Sequence, residues 1–238
     1  MDITRRLLGL DSSLTIHNEG FWKEDFDKDK DGFSSFNDAG IECETGEFLY
    51  SMVRILKPDH VLETGTHWGI GASYMGLALK DNNHGDLDTI EFLSEIANVA
   101  SRRLHKVGIQ DIVKLHLMDA AKFEPQHQYK LILLDTEPQT RFAELIRFYD
   151  YLEPGGFVFI HDLHQHMHQG EAQRDNADHP NQPYWPYGEL PGLIRQLVNG
   201  GSLRPFHFST PRGLSCFYRV HPNDYKWSPY EPKLLWSQ

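Results

Sequence analysis

The sequence predicts an α/β fold: a Rossmann-like, doubly wound and mostly parallel sheet with helices on both faces. Three observations carry this. Between residues 42 and 220, short apolar runs alternate with segments whose apolar residues recur at helical period. The short runs are near-continuous in their apolar residues, as in strands covered on both sides. Each of the five leading runs also ends at an acid, in order Glu63, Glu91, Asp119, Asp135 and Asp162, on the edge where such sheets bind ligands.

The elements follow in order. "ETGEFLYSMVRILKP" places Phe48, Leu49, Met52, Val53 and Leu56 on one helical face, and Lys57-Pro58 ends the run. "DHVLETG" is a strand, and "THWGIGASYMGLALK" continues at helical period through Ile70, Tyr74, Leu77 and Ala78. A strand near Asp88 to Glu91, a helix from about Leu93 to Val107 and a strand near Ile112 to Leu117 come next. "YKLILLD" is a strand ending at Asp135, a helix spans about Arg141 to Tyr151, and "PGGFVFIHD" is a fifth strand opened by a proline-glycine turn. "GELPGLIRQLVNGG" is a sixth helix, followed by the strand-like "LRPFHFS" and "LSCFYRV". The domain division is residues 1–41 as a polar and aromatic extension, 42–220 as the domain with a long loop at 165–187, and 221–238 as a tail.

Bulk properties narrow the function. A chain of 238 residues with 39% hydrophobic content has material for one sizeable core. Its 23 basic residues stand against 34 acidic ones, a net charge of -11, with no basic run to meet a polyanion. Nucleic acid is therefore not an expected partner. Cys43 and Cys216 are too few and too far apart for a disulfide framework or a thiolate zinc cluster. No segment has the roughly 18 consecutive apolar residues of a membrane span, and the opening apolar run is too short for a signal peptide. A cytoplasmic location with no membrane partner is the expectation.

"DKDKDGFSSFND", Asp27 to Asp38, spaces Asp27, Asp29 and Asp31 before Gly32 as a calcium loop does. It departs from that pattern at Ser34, where an apolar residue is usual, and at Asp38, where a longer glutamate is usual. A solvated turn is the alternative.

The first strand-to-helix turn reads "ETGTHWGIG". Its glycines, Gly65, Gly69 and Gly71, do not have dinucleotide-binding spacing, and bulky Trp68 sits inside the turn. With "TIE", "LLDTEP" and "LEPGGFVFIHD" at their intervals, the turn is similar to motif I of the class I S-adenosylmethionine-dependent methyltransferases, over roughly Glu42 to Val220. The resemblance is closest to the small-molecule O-methyltransferases. It implies S-adenosylmethionine as cofactor, with Gly65, Thr66, His67 and Trp68 against its methionine part and Glu63 organising the turn. Glu91 would accept from both ribose hydroxyls, and Asp119-Ala120 would contact the adenine. Asp135 closes the cofactor set on the fourth strand. "DTEP" after that strand differs from the motif of nucleic-acid amino-methylating enzymes, which again disfavours DNA or RNA.

A sulfonium-bound methyl is already activated, so catalysis needs alignment and removal of the acceptor's proton. Asp135, His161 and His164 are the candidate catalytic groups. In the metal-dependent branch of the resembled family, a divalent cation is held after the fourth and fifth strands, and Asp135, His161 and Asp162 match that place. Leu163 stands where a further ligand is usual, leaving water or Glu137 to complete a magnesium site; histidine would favour manganese, iron or zinc. The metal-free alternative makes His161 or His164 the general base. His166 and His168 read as solvated. The expected reaction is methyl transfer to a hydroxyl of a sugar, glycan or phenolic natural product. The alternatives are a non-haem metal oxygenase using His161, Asp162 and His164, which gives Glu91 no role, and a cofactor-binding module without catalysis. The loop's Tyr184, Trp185 and Tyr187 would stack on an acceptor or anchor the loop, and the aromatic tail would cover the site or a second subunit of a homo-oligomer.

Overall fold

The computed structural model describes residues 2–19, 33–36, 40–137, 139–162, 191–208 and 212–224. The expected alternation is present. Helix α1 (Ile3–Leu10) and the short strands β1 (His17–Glu19) and β2 (Phe33–Ser35) precede α2 (Cys43–Leu56). Then come β3 (His60–Thr64), α3 (Ile70–Asn82), β4 (Asp86–Glu91), α4 (Ser94–Val107), β5 (Val113–Leu117) and β6 (Tyr129–Leu134). The series ends with α5 (Arg141–Phe148), β7 (Leu152–His161), α6 (Gly192–Asn199), β8 (Leu203–Phe208) and β9 (Leu214–Arg219). The helix expected to run to Tyr151 stops at Phe148, and a 3-10 turn covers Tyr149–Tyr151.

One seven-stranded sheet has the order β5-β4-β3-β6-β7-β9-β8. Strands β3 to β7 pair in parallel, whereas β9 pairs antiparallel with both β7 and β8. Successive residues of each inner strand feed opposite cores because strand side chains alternate. Val61, Leu131, Leu133 and Phe159 pack with α1 to α4 through Leu7, Leu49, Leu77 and Leu104. Leu62, Ile132, Leu134 and Ile160 pack with α5 and α6 through Leu145, Phe148 and Ile194. This is the doubly wound arrangement. The chain leaves β3 for β4 on one side and returns to β6 on the other, so the switch point, where such folds open a ligand crevice, lies between β3 and β6.

The segment before residue 42 is more than an appendage. Ile3 and Leu7 of α1 are fully buried in the core shared with α2, α3 and α4. Asp11, after α1, pairs with Arg103 at 3.1 Å and Lys106 at 2.8 Å on α4. Most of the calcium-loop stretch, including Asp27, Asp29, Asp31 and Asp38, lies outside the described residues, as does the loop 165–187.

Candidate active site

At the switch point β3 ends and the chain turns sharply. Gly65 has φ 80°, and its amide and that of Thr66 both donate to the Ile90 carbonyl at 3.0 Å. A Cβ on Gly65 would lie 2.2 Å from the Asp135 carbonyl oxygen, so the close approach of the β3 and β6 ends requires glycine here. His67 also adopts a left-handed conformation, at φ 47°. Arg103 donates to the Trp68 carbonyl, tying this turn to α4.

Two carboxyl groups brace the turn. Glu63 lies beneath it, fully buried; the Thr89 hydroxyl donates to it at 2.5 Å and the Ala72 amide also donates. Burial, opposed by the Thr89 bond and reinforced by Asp135 and Glu91, pushes its pKa up to about 8, so Glu63 is a neutral acid at pH 7. Glu91, at the end of β4, accepts from the His67 amide at 2.8 Å and the Leu93 amide at 2.9 Å, one bond on each oxygen. The His67 ring stacks on Trp68, with centroids 5.2 Å apart, and burial lowers its pKa. Its Nδ1 is buried without a hydrogen-bond partner among the described residues. A small open cleft lies here, lined by Ile41, Glu63, Gly65, His67, Trp68 and Asp135 among others.

Glu63, Gly65, Thr66, His67, Trp68 and Asp135 thus share one cleft, and Glu91 is bonded to its wall. Asp119 and buried Ala120 stand at the end of the neighbouring β5, where the Asp119 carboxylate caps a 3-10 turn by accepting from Ala121 at 2.9 Å. Beside Glu91, Phe92 is 69% exposed and Leu117 57% exposed, an uncovered apolar surface next to a carboxylate.

On the other side of Asp135 lies a buried network of charges. His161 is fully buried: Nδ1 donates to Asp135 Oδ1 at 3.0 Å and Nε2 to Glu42 Oε2 at 2.7 Å, with Asp162 Oδ1 3.7 Å from Nδ1. Burial alone would lower this imidazole's pKa, but Asp162, Asp135 and Glu42 together push it up to about 10. Asp162 faces Arg212, whose Nη2 donates to Oδ2 at 2.7 Å and whose Nε lies 2.7 Å from Oδ1, an ion-pair contact angled away from a hydrogen bond. Burial opposes ionisation of Asp162, yet His161, Arg212 and Arg141 hold its pKa down to about 2. Arg141 donates to Asp135 Oδ1 at 3.3 Å and to the Thr136 carbonyl at 2.7 Å, and also to the His161 carbonyl.

These contacts occupy both ring nitrogens of His161. An imidazolium donating from both nitrogens has no lone pair to take an acceptor's proton or to bind a cation. The ligand atoms of Asp135, His161 and Asp162 do lie within 4.8 Å of one another, a spacing a metal ion could use. Asp135 Oδ1 and Asp162 Oδ2 accept from Arg141 and Arg212, so a divalent cation drawn to this pair would have to displace a guanidinium. The oxygenase alternative is not supported for the same reason: His161 is committed to Glu42 and Asp135, and His164 falls outside the described residues, together with Leu163, His166 and His168. Glu42, Arg141 and Arg212 went unnoticed in the sequence as site residues. Nothing marks a lone arginine in "TPRGLS" as the partner of an aspartate 50 residues earlier.

Comparison with known proteins is consistent with this layout. Residues 62–163 match a family model described as a methyltransferase domain. A search of the curated proteins gives no match. Among solved structures, the chain is similar to the O-methyltransferase TomG from Streptomyces achromogenes, involved in tomaymycin synthesis and in complex with SAM: 16% identity, TM-score 0.60, covering 77% of this chain and 82% of that one. An O-methyltransferase from Bacillus cereus in complex with SAH is 18% identical with TM-score 0.59, over 77% of this chain and 84% of that one. The SAH-bound Podospora anserina methyltransferase PaMTH1 is 17% identical with TM-score 0.57, over 76% and 80%. The likeness establishes the fold as the one these methyltransferases share.

Proposed function

We propose that this chain is an S-adenosylmethionine-dependent O-methyltransferase acting on a hydroxyl of a small molecule. One observation carries the reading: the glycine turn at the β3–β6 switch point, braced by Glu63 and Glu91, lines a cleft together with His67, whose Nδ1 is buried without a hydrogen-bond partner among the described residues. A buried polar atom without a partner is costly and marks a place for a ligand group. The methyltransferase domain match over residues 62–163 and the SAM- or SAH-bound neighbours support the same cofactor.

S-adenosylmethionine would supply an activated methyl group on a sulfonium; the chain's own residues do the rest. Gly65, Thr66, His67 and Trp68 line the cleft where the cofactor's methionine part would lie. Each Glu91 oxygen has accepted one backbone bond and keeps a lone pair for a ribose hydroxyl. The exposed face of Phe92, beside Asp119 and Ala120 on the neighbouring strand end, suits a flat heterocycle. Asp135 takes the catalytic place among the described residues, since both ring nitrogens of His161 are engaged. Its bonds to His161 and Arg141 both fall on Oδ1, and Oδ2 has no hydrogen bond among the described residues, so it is the group that would orient an acceptor hydroxyl and receive its proton. His161 acts behind it, holding Oδ1 and supplying positive charge.

Among the described residues no helix is long and apolar enough to cross a membrane. The net charge of -11 favours a small acceptor, a sugar, glycan or phenol, over nucleic acid. A cytoplasmic, homo-oligomeric enzyme is consistent with this reading. Calorimetry with SAH tests the cofactor, followed by mass spectrometry of sugars and phenols incubated with SAM and the protein. Saturable one-to-one SAH binding is expected; its absence at millimolar ligand overturns the proposal.

A further inference from the structure

We infer that the guanidinium groups of Arg141 and Arg212 take the place of a divalent cation between Asp135 and Asp162, so that this edge of the site is organised by the chain's own cations and binds no metal. The inference leans on the proposed function only in calling this edge the acceptor side. A cation bridging the ends of β6 and β7 would have to sit between the two carboxylates. Arg141 already lies between them, with Nη2 3.3 Å from Asp135 Oδ1 and 3.9 Å from Asp162 Oδ2. Arg212 covers Asp162 from the other side in a two-pronged contact, 2.7 Å to each oxygen. Its remaining bonds reach back to the N-terminal segment: Nη1 donates to the Gly40 carbonyl, and its amide donates to Glu42 Oε1 at 3.2 Å.

The charge count reinforces the geometry. Two carboxylates, Asp135 and Asp162, face two guanidinium groups, Arg141 and Arg212. The set is neutral as it stands. A divalent ion added to it would leave two uncompensated positive charges in a nearly dry place, since the two guanidinium side chains are only 4% and 8% exposed. Guanidinium also does what a metal would do structurally. It ties the end of β6, the start of α5, the end of β7, the Gly40–Glu42 segment and residue 212 into one rigid edge around Asp135. A chelator cannot remove such a cation.

The test uses the full chain, stripped with EDTA and then titrated with manganese and with zinc. The wild type is expected to give no stoichiometric heat and the same melting midpoint in chelator as in either metal. Arg212→Met and Arg141→Met leave the carboxylates in excess, and each is expected to gain manganese affinity by more than tenfold, seen as a metal-dependent rise of the midpoint. Should neither variant fold, Asp162→Asn decides: its midpoint deficit against wild type is the same with and without manganese if arginine is the partner, and grows with manganese if a metal is. Stoichiometric binding to the wild type that Asp162→Asn abolishes overturns the inference, as does a folded pair of arginine variants that gain no metal. SAH titration of the same samples keeps the outcomes separate, because cofactor binding can succeed or fail whatever the metals do.

Discussion

His161→Gln puts a number on the buried network. The substitution keeps a side chain that can hydrogen-bond toward Glu42 or Asp135 and removes the positive charge between them. The imidazole's pKa is about 10 in the fold against an ordinary 6.5. Because it is raised, the folded state holds the proton more tightly: the stabilisation is complete below pH 6.5 and is lost as pH rises through 10. That interval, at about 1.4 kcal/mol per pH unit, amounts to about 5 kcal/mol. Removing one partner of a buried ion pair costs about 3–5 kcal/mol, an independent figure of the same size. For a chain of this length each kcal/mol moves the midpoint by about 2–4 °C, so the variant should melt about 10–20 °C lower near neutral pH. Circular-dichroism melts of both proteins, from about pH 6 to about pH 10.5, give the difference curve. It should be widest at the acidic end and close toward pH 10. Glu63, which titrates near 8, destabilises both proteins alike and drops out of the difference. A difference that stays constant across the range would refute the buried imidazolium, and a variant as stable as wild type would refute the network's importance.

Glu91→Gln should weaken SAH binding by about tenfold or more, since a hydrogen bond to a charged acceptor contributes about 1.5–3 kcal/mol; unchanged affinity by calorimetry would remove Glu91 from the cofactor site. Gly65→Ala forces a side chain into a left-handed φ of 80° and against the Asp135 carbonyl, so it should lower the midpoint and abolish SAH binding together; wild-type behaviour would show that the turn tolerates a Cβ. Cutting the chain after Asp224 should preserve a sharp, cooperative melt, because Asp224 accepts from Tyr218 at 2.5 Å and from the His221 amide at 2.8 Å and closes the last strand; a broad melt would make the remaining tail structural.

The parallel strands were legible because burial on both faces writes them as apolar runs, and the cleft was legible because Glu63, Gly65, Glu91 and Asp135 each end such a run. Helix α1 was not, since eight residues with Ile3 and Leu7 buried give too short a periodic stretch to stand out. The antiparallel return of β9 between β7 and β8 is a matter of long-range pairing that no local pattern records. The partners of His161 were not legible for a related reason. Residue type showed a group that titrates near neutral pH, while its protonation depends on Glu42, 119 residues away, and on acids from two other positions.

Two acids on one sheet edge show how partners decide protonation. Glu63 and Asp162 are both buried, at the ends of β3 and β7. Glu63 meets hydroxyl and amide donors but only like charges, Asp135 and Glu91, and is held neutral to about pH 8. Asp162 meets Arg212, Arg141 and His161 and stays ionised to about pH 2. The amide of Glu63→Gln resembles the neutral acid the folded wild type carries, so the two proteins should be alike near pH 5. The variant should be the more stable by about 3 kcal/mol at pH 7, where the unfolded wild type has lost the proton that folding must restore. Asp162→Asn, in contrast, strips Arg212 of its anion, leaves Arg141 only Asp135, and should cost about 3–5 kcal/mol. The pH dependence adds a sign. A raised acid gives stability that is complete below its ordinary 4.5 and lost as pH rises through 8, so the wild type should weaken relative to Glu63→Gln over that interval. Melts of the three proteins at pH 5, 7 and 9 measure both effects, and a Glu63→Gln protein as damaged at pH 7 as Asp162→Asn would mean that Glu63 is ionised beneath the turn, with its charge facing whatever the cleft binds.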